Sequence, residues 1–262
     1  MVPPKLWRIK MTIDYSKFST DGFLEASPFP HIVIDNLFHN EFLNNIEKSY
    51  PEKDDVTWWK YDNHFEKKLA FNEIIRMPQC IQEFFNIVNS REFVKNLESL
   101  TGIDFLISDP SLNGGGLHRI ESGGKLDIHA DYNFHKMTGW KRRLNMITFL
   151  NKEWREEYGG HTEFWNREMS SCVTKVLPVF NRTVIFEVSD TAWHGHPEPL
   201  SCPLDRSRRS LATYYYTLYD KDAEDTEYSS TAYQRRPCDK ASAEIEKLRE
   251  LRRKGRLRDD TT

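Results

Sequence analysis

The stretch Leu126-Asp-Ile-His129-Ala-Asp131-Tyr-Asn133 carries an imidazole and a carboxylate two residues apart. On a strand, residues i and i+2 point to the same side, so His129 and Asp131 can converge on one point. One imidazole nitrogen and one carboxylate, joined by a distant second histidine, form the facial triad that suits Fe(II) and leaves open positions for substrate and oxygen. A lone His-x-Asp is common by chance and carries little weight by itself. Two further segments add weight. Phe180-Asn-Arg-Thr-Val-Ile-Phe-Glu-Val-Ser189 reads as a buried strand and runs into Asp190-Thr-Ala-Trp-His194-Gly-His196-Pro. A histidine just beyond a strand end can reach into a barrel mouth. Arg208-Arg209 then opens the strand-like run Ser-Leu-Ala-Thr-Tyr-Tyr-Tyr-Thr217. A guanidinium fork matches a carboxylate bidentately, as the far end of a dicarboxylic co-substrate would require. The order His-x-Asp, His, Arg is more specific than any one of its parts.

These residues need a scaffold. Residues 1–25 are polar and aperiodic, and read as an arm. Pro28–Phe38 reads as a short strand, and His39 to Tyr50 as a helix with Phe42, Leu43 and Ile46 on one face, closed by Pro51. Helical spacing continues over 68–100, through Leu69, Phe71, Ile74 and Ile75, then Ile81 to Val88, then Phe93 to Leu100. From about residue 103 the texture becomes β-rich. Short runs appear at Phe105–Ile107, Lys125–Ala130, Leu144–Leu150, Thr162–Trp165, Lys175–Phe180, Thr183–Val188 and Ser210–Tyr219, many separated by Gly, Asn, Asp or Pro. That pattern predicts a sandwich or barrel. The expected organisation is therefore an arm over 1–25, a domain over 26–220 with helical support in 38–100, and a charged tail over 221–262. Residues 244–258 hold seven basic and three acidic residues and predict a solvent-exposed basic helix with a narrow stripe of Ile245, Leu248 and Leu251.

The chain has 262 residues with 13% aromatic and 29% charged residues, so it is a globular protein with ample ring area for a core. Forty acidic against 37 basic residues leave a net charge of −3, which implies no general attraction to nucleic acid or anionic membrane. Apolar runs such as Val184-Ile185-Phe186 are far too short to span a bilayer. The four cysteines form no Cys-x-x-Cys pair and the N-terminus lacks an apolar signal core, which places the chain in a reducing, cytoplasmic compartment. The sequon Asn181-Arg182-Thr183 then reads as accidental. No nucleophile elbow, phosphate-binding loop or His-Glu-x-x-His is present.

With these pieces in place, the sequence resembles the 2-oxoglutarate and Fe(II)-dependent dioxygenases, in their prolyl-4-hydroxylase-like branch, over roughly residues 28–219. The resemblance includes Pro30-His-Ile-Val-Ile-Asp-Asn, Arg143-Leu-Asn-Met-Ile-Thr-Phe-Leu-Asn151 and Gly159-Gly-His-Thr-Glu-Phe-Trp165. It implies a double-stranded β-helix, or jelly roll, mainly β with α, flanked by N-terminal helices. It implies iron on His129, Asp131 and His194, and the distal carboxylate of 2-oxoglutarate on Arg209. The loop Ser201–Ser207 is longer than in many relatives, which leaves Arg206, Arg208 and Arg209 in competition for that role. Asn145 is a candidate for the C1 end of the co-substrate. Tyr132, Asn133, His196 and Trp193 are candidates for the substrate mouth, with Trp140, Trp154 and Trp165 as further wall or core residues.

The implied reaction consumes 2-oxoglutarate and O2, uses ascorbate as reductant, and yields succinate, CO2 and a hydroxylated C–H position. The expected substrate is a prolyl residue, a peptide or protein, or an amino-acid-like small molecule. Two other readings stand beside it. One is a non-catalytic jelly-roll module recruiting a partner through the basic helix. The other is a cupin-like metalloprotein, for which several histidine ligands would replace His-x-Asp.

Overall fold

The period-2 alternation forms thirteen strands in a computed structural model that describes residues 12–18, 22–218 and 230–255. In chain order these are β1 (His31–Asp35), β2 (Trp59–Asp62), β3 (Glu66–Phe71), β4 (Ile107–Ser108), β5 (Gly116–Glu121), β6 (Lys125–Ala130) and β7 (Lys141–Phe149). There follow β8 (Thr162–Trp165), β9 (Cys172–Val176), β10 (Arg182–Glu187), β11 (His194–His196), β12 (Ser207–Thr217) and β13 (Ala232–Tyr233). The main path runs β1-β10-β7-β12-β5-β3-β6-β11-β8-β9, all antiparallel, and curls into a nearly closed barrel of jelly-roll type.

The alternation decides what faces where. Leu144 and Met146 of β7, Ile185 of β10, and Leu211 and Tyr215 of β12 turn outward against the helices Asn40–Lys48, Gln79–Val88 and Arg91–Thr101. Those helices contribute Leu43, Ile46, Ile81, Phe84, Phe85, Phe93, Val94 and Leu97 to the same core. Each such side chain adds about 1.5–3 kcal/mol by leaving water. The last helix is delimited by the Ser90 hydroxyl, which accepts from the Phe93 amide, and by Gly102 in the left-handed region. The intervening residues, Asn145 and Ile147 on β7 with Ser210, Ala212 and Tyr214 on β12, turn inward and line a cavity. One strand pair thus serves two functions on opposite faces.

Several expectations are revised. Glu66–Phe71 is a strand and not the start of the helical stretch expected from residue 68: Leu69 and Phe71 are two apart, a strand spacing, and the segment pairs with β2, β5 and β6. The N-terminal stretch is not a free arm where it is described: Ile13 bridges Phe38, and Phe23 is fully buried. The glycine run 114–116 leads into β5, which passes so close to β3 that a Cβ on Gly116 would lie 2.4 Å from the Phe71 carbonyl oxygen. Asn181 is fully buried and its amide donates to the Phe38 carbonyl, so the sequon is not available to a glycan.

The C-terminal helix Ala243–Arg253 departs most from expectation. Arg249 and Arg252 are more buried than its leucines: Arg252 pairs with Glu66 at 3.2 Å, and the Arg249 guanidinium lies 5.9 Å from the Phe65 ring. The preceding β13 adds a strand beside β6. Residues 219–229 and 256–262 of the expected tail lie outside the described residues.

Candidate active site

The strands β6 and β11 bring together residues 65 apart in sequence, because His129 and His194 are direct antiparallel partners. Their rings lie 4.4 Å apart, centroid to centroid. Gly195 permits this contact: a Cβ there would sit 2.7 Å from the Asp127 carbonyl oxygen. Asp131 follows β6 and places its carboxylate oxygens 3.5 Å from His129 Nε2 and 3.8 Å from His194 Nε2. All three residues are buried, and one donor atom from each lies within 4.8 Å of the others.

The tautomers follow from the backbone. His129 Nδ1 lies 2.9 Å from the Asp127 carbonyl oxygen, and His194 Nδ1 lies 2.9 Å from that of Ala192. A carbonyl can only accept, so both Nδ1 atoms carry the proton and both Nε2 atoms present lone pairs. Burial and then His129 lower the pKa of His194 to about 4, so it is neutral near pH 7. Burial opposes charge on Asp131, but its hydrogen-bonding and charged surroundings, the Arg142 guanidinium among them, hold its carboxyl well below the usual range. The two Nε2 atoms and one carboxylate therefore converge on one point, which is an arrangement a divalent cation completes. Nitrogen, nitrogen and oxygen donors of this kind suit Fe(II).

Asp131 is held from behind. Asn145 donates through Nδ2 to its Oδ2 at 3.0 Å, and Arg142 Nη1 lies 3.5 Å from the same oxygen. The buried Arg142 guanidinium sits between two rings, 3.4 Å from the Tyr132 centroid and 3.6 Å from that of Tyr214. Those rings are fixed by hydroxyls donating to the Asn113 and Gly114 carbonyls. The stack gives Arg142 cation–π support on both faces and removes its freedom to move away from Asp131.

The cluster opens into a cavity of about 860 Å³. Tyr132, Asn145 and His196 line it, together with the three candidate ligands. Asn133 and Trp193 do not: the Asn133 carbonyl accepts from the Arg142 amide, and Trp193 packs on Ile128 and Met169. Trp154 and Trp165 also belong to the core. Trp58 and Trp59 line the cavity instead, with Glu66, Lys68, Tyr233 and Arg252. No periodic signal marked these residues, since β2 and β3 were read outside the β-rich half and β13 and Arg252 in a solvated tail.

The two arginines at the start of β12 part company. Arg209 points away from the cavity, 3.7 Å from Glu47. Arg208 points in, buried, with Nε donating to the Gly160 carbonyl at 2.8 Å and Nη2 to Thr162 Oγ1 at 3.0 Å. No carboxylate pairs with it among the described residues, and burial lowers its pKa to about 9. A buried cation without a counter-ion, open to a cavity, has the chemistry to bind a carboxylate.

His129, Asp131 and His194 thus line one cavity of the jelly roll with a donor set that could hold a metal ion. Residues 115–216 match the family model of the 2OG-Fe(II) oxygenase superfamily. The chain is 25% identical over 198 residues to prolyl 3-hydroxylase OGFOD1 of Mus musculus, covering 74% of this chain and 34% of that one. The chain thus spans about a third of the length of the curated relative it matches. Its fold is similar to that of a Pseudomonas putida prolyl-4-hydroxylase, with a TM-score of 0.54, 12% identity, and coverage of 72% of this chain and 93% of that one. A prolyl 4-hydroxylase structure from Phytophthora capsici gives a TM-score of 0.53 at 21% identity, covering 92% and 76%. Among the described residues no helix is long and apolar enough to cross a membrane.

Proposed function

We propose that the chain is an Fe(II)- and 2-oxoglutarate-dependent dioxygenase that hydroxylates a prolyl residue of a peptide or protein, with succinate and CO2 as co-products. The observation that carries this reading is the convergence of the His129 and His194 Nε2 lone pairs with the Asp131 carboxylate in a buried cluster. Iron(II) bound there, with 2-oxoglutarate and O2, would supply the oxidising chemistry by coupling decarboxylation to insertion of an oxygen atom into a C–H bond.

The chain's own residues position the reaction. His129 and His194 offer nitrogen ligands whose orientation is fixed by the Asp127 and Ala192 carbonyls. Asn145 and Arg142 aim the Asp131 carboxylate, and the second amide N–H of Asn145 can meet the C1 carboxylate of the co-substrate. Arg208 takes the distal carboxylate, in place of the Arg209 expected from the sequence, because Arg209 turns toward Glu47 and away from the cavity. Burial of the whole cluster keeps these charges at high strength by excluding water. The likeness to a prolyl 3-hydroxylase supports the prolyl substrate, and the superfamily match supports the type of reaction.

The test is succinate release from 2-oxoglutarate by purified protein with Fe(II), ascorbate and air, against a His129→Ala control, followed by mass spectrometry of proline-containing peptides. Succinate that vanishes in the control, with a gain of about 16 Da on proline, establishes the activity. Absence of both iron binding and succinate would favour the non-catalytic module.

A further inference from the structure

We infer that His196 is a second anchor for the distal carboxylate of the co-substrate, beside Arg208, and thereby a determinant of selectivity for dicarboxylic 2-oxo acids. The inference rests on the reading proposed above and extends it to a residue outside the metal cluster and the arginine.

His196 stands two residues after His194 on β11 and lines the same cavity, with only 4% of its surface exposed. Both of its ring nitrogens are buried, and neither has a hydrogen-bond partner. An imidazole always carries at least one N–H, so a donor is enclosed here with nothing to receive it. Buried polar groups are rarely left so, and a native one without a partner calls for a ligand. Arg208 presents the matching deficiency in the same cavity: a guanidinium with two donors spent on Gly160 and Thr162 and no counter-ion. The two groups share the cavity wall, since His196 on β11 and Arg208 on β12 both line it.

A single carboxylate answers both deficiencies. It accepts from the remaining guanidinium N–H groups and from the imidazole N–H that the ring carries in any protonation state. Ile120 and Ile147, which line the same cavity, supply apolar walls for the methylene groups between the two ends of a dicarboxylic 2-oxo acid. A monocarboxylic 2-oxo acid of the same length would leave Arg208 and His196 facing a methyl group.

The experiment compares 2-oxoglutarate with 2-oxopentanoate, which has a methyl group in place of the distal carboxylate, by calorimetry on anaerobic Fe(II)-loaded protein. His196→Leu keeps the bulk and removes the donor. It should weaken 2-oxoglutarate on the order of ten-fold or more, as loss of a hydrogen bond to a charged group does, while 2-oxopentanoate binding stays the same. His196→Asn and His196→Gln place an amide N–H near the positions of Nδ1 and Nε2, and the one that restores affinity identifies the donating nitrogen. Equal weakening of both ligands in His196→Leu would show a packing role only and overturn the inference. Unchanged 2-oxoglutarate affinity would overturn it as well, with the dioxygenase reading intact. Failure of the wild-type protein to bind 2-oxoglutarate would instead remove the parent reading, and this inference with it.

Discussion

His129 and His194 face each other across the β6–β11 ladder, and each is fixed by its own backbone two residues back, Asp127 for one and Ala192 for the other. The same device, an Nδ1 proton given to the i−2 carbonyl, sets both rings. The metal-facing nitrogens are therefore organised by strand geometry before any ion arrives, which lowers the reorganisation needed on binding.

Replacing a candidate ligand should abolish metal binding. Asp131→Ala leaves two neutral nitrogens and no charge to offset a divalent cation, so Fe(II) affinity should fall at least about a hundred-fold and succinate release should cease. Equilibrium dialysis with Fe(II) or Co(II) checks this. A fully active Asp131→Ala protein would refute the ligand assignment.

The two arginines of β12 should behave oppositely. Arg208→Met should raise the KM for 2-oxoglutarate about a hundred-fold, since it removes a charge-assisted fork and leaves the bound carboxylate unpaired. Arg209→Met should change KM by less than about two-fold, because it loses only a partly exposed pair with Glu47 that contributes under about 1 kcal/mol to stability. A reversed pattern would return the role to Arg209.

Arg142 should matter for stability as well as for the site. Its removal leaves Asp131 with one fewer partner and opens the space between Tyr132 and Tyr214. Arg142→Met should cost about 3–5 kcal/mol in urea unfolding of the metal-free protein, the range for breaking a buried pair from one side. Arg142→Lys should recover little, because an ammonium cannot lie flat between two rings. An Arg142→Met protein of unchanged stability would show that the stack carries no net energy.

Attachment of the C-terminal segment should depend on pH. Burial opposes charge on Glu66, yet Lys68 and then Arg252 keep its carboxyl pKa below the ordinary 4.5. A carboxylate with a lowered folded pKa contributes stability that is present above the unfolded value and lost as pH falls through the folded one. Amide-exchange protection of β13 and the helix Ala243–Arg253 should therefore hold at pH 6 and fall below about 4.5. Glu66→Gln should reduce it at both pH values. Protection unaffected by that substitution would show that β13 pairing and apolar contacts suffice.

Much of the site was legible because its residues sit on strands whose own sequences announce them. Lys125–Ala130 and Thr162–Trp165 fall where the pattern placed them, and β7, β10 and β12 differ only at their ends. The two-residue spacing of His129 and Asp131 pointed to a shared face, and the resemblance to the 2-oxoglutarate-dependent dioxygenases named His194 as their distant partner. Trp59, Lys68, Tyr233 and Arg252 could not. Their strands are short and carry no clean alternation, and they reach the cavity through pairings between distant segments.

The sequence by itself pointed to a β sandwich or barrel and to a His-x-Asp pair, because hydrophobic periodicity and donor type are local properties, and its resemblance to a known family supplied the jelly roll and the third candidate ligand. Which neighbour of a pair faces inward was decided only by tertiary structure. Arg208 and Arg209 are chemically alike and adjacent, and nothing local distinguishes them. The register of β12 against β5 and β7 turns one into the cavity and the other toward Glu47. A shift of one residue along a strand exchanges its two faces, and register is settled by the whole sheet. The same holds for the basic C-terminal helix, whose charge suggested solvent until Glu66, nearly two hundred residues earlier, supplied a buried partner for Arg252.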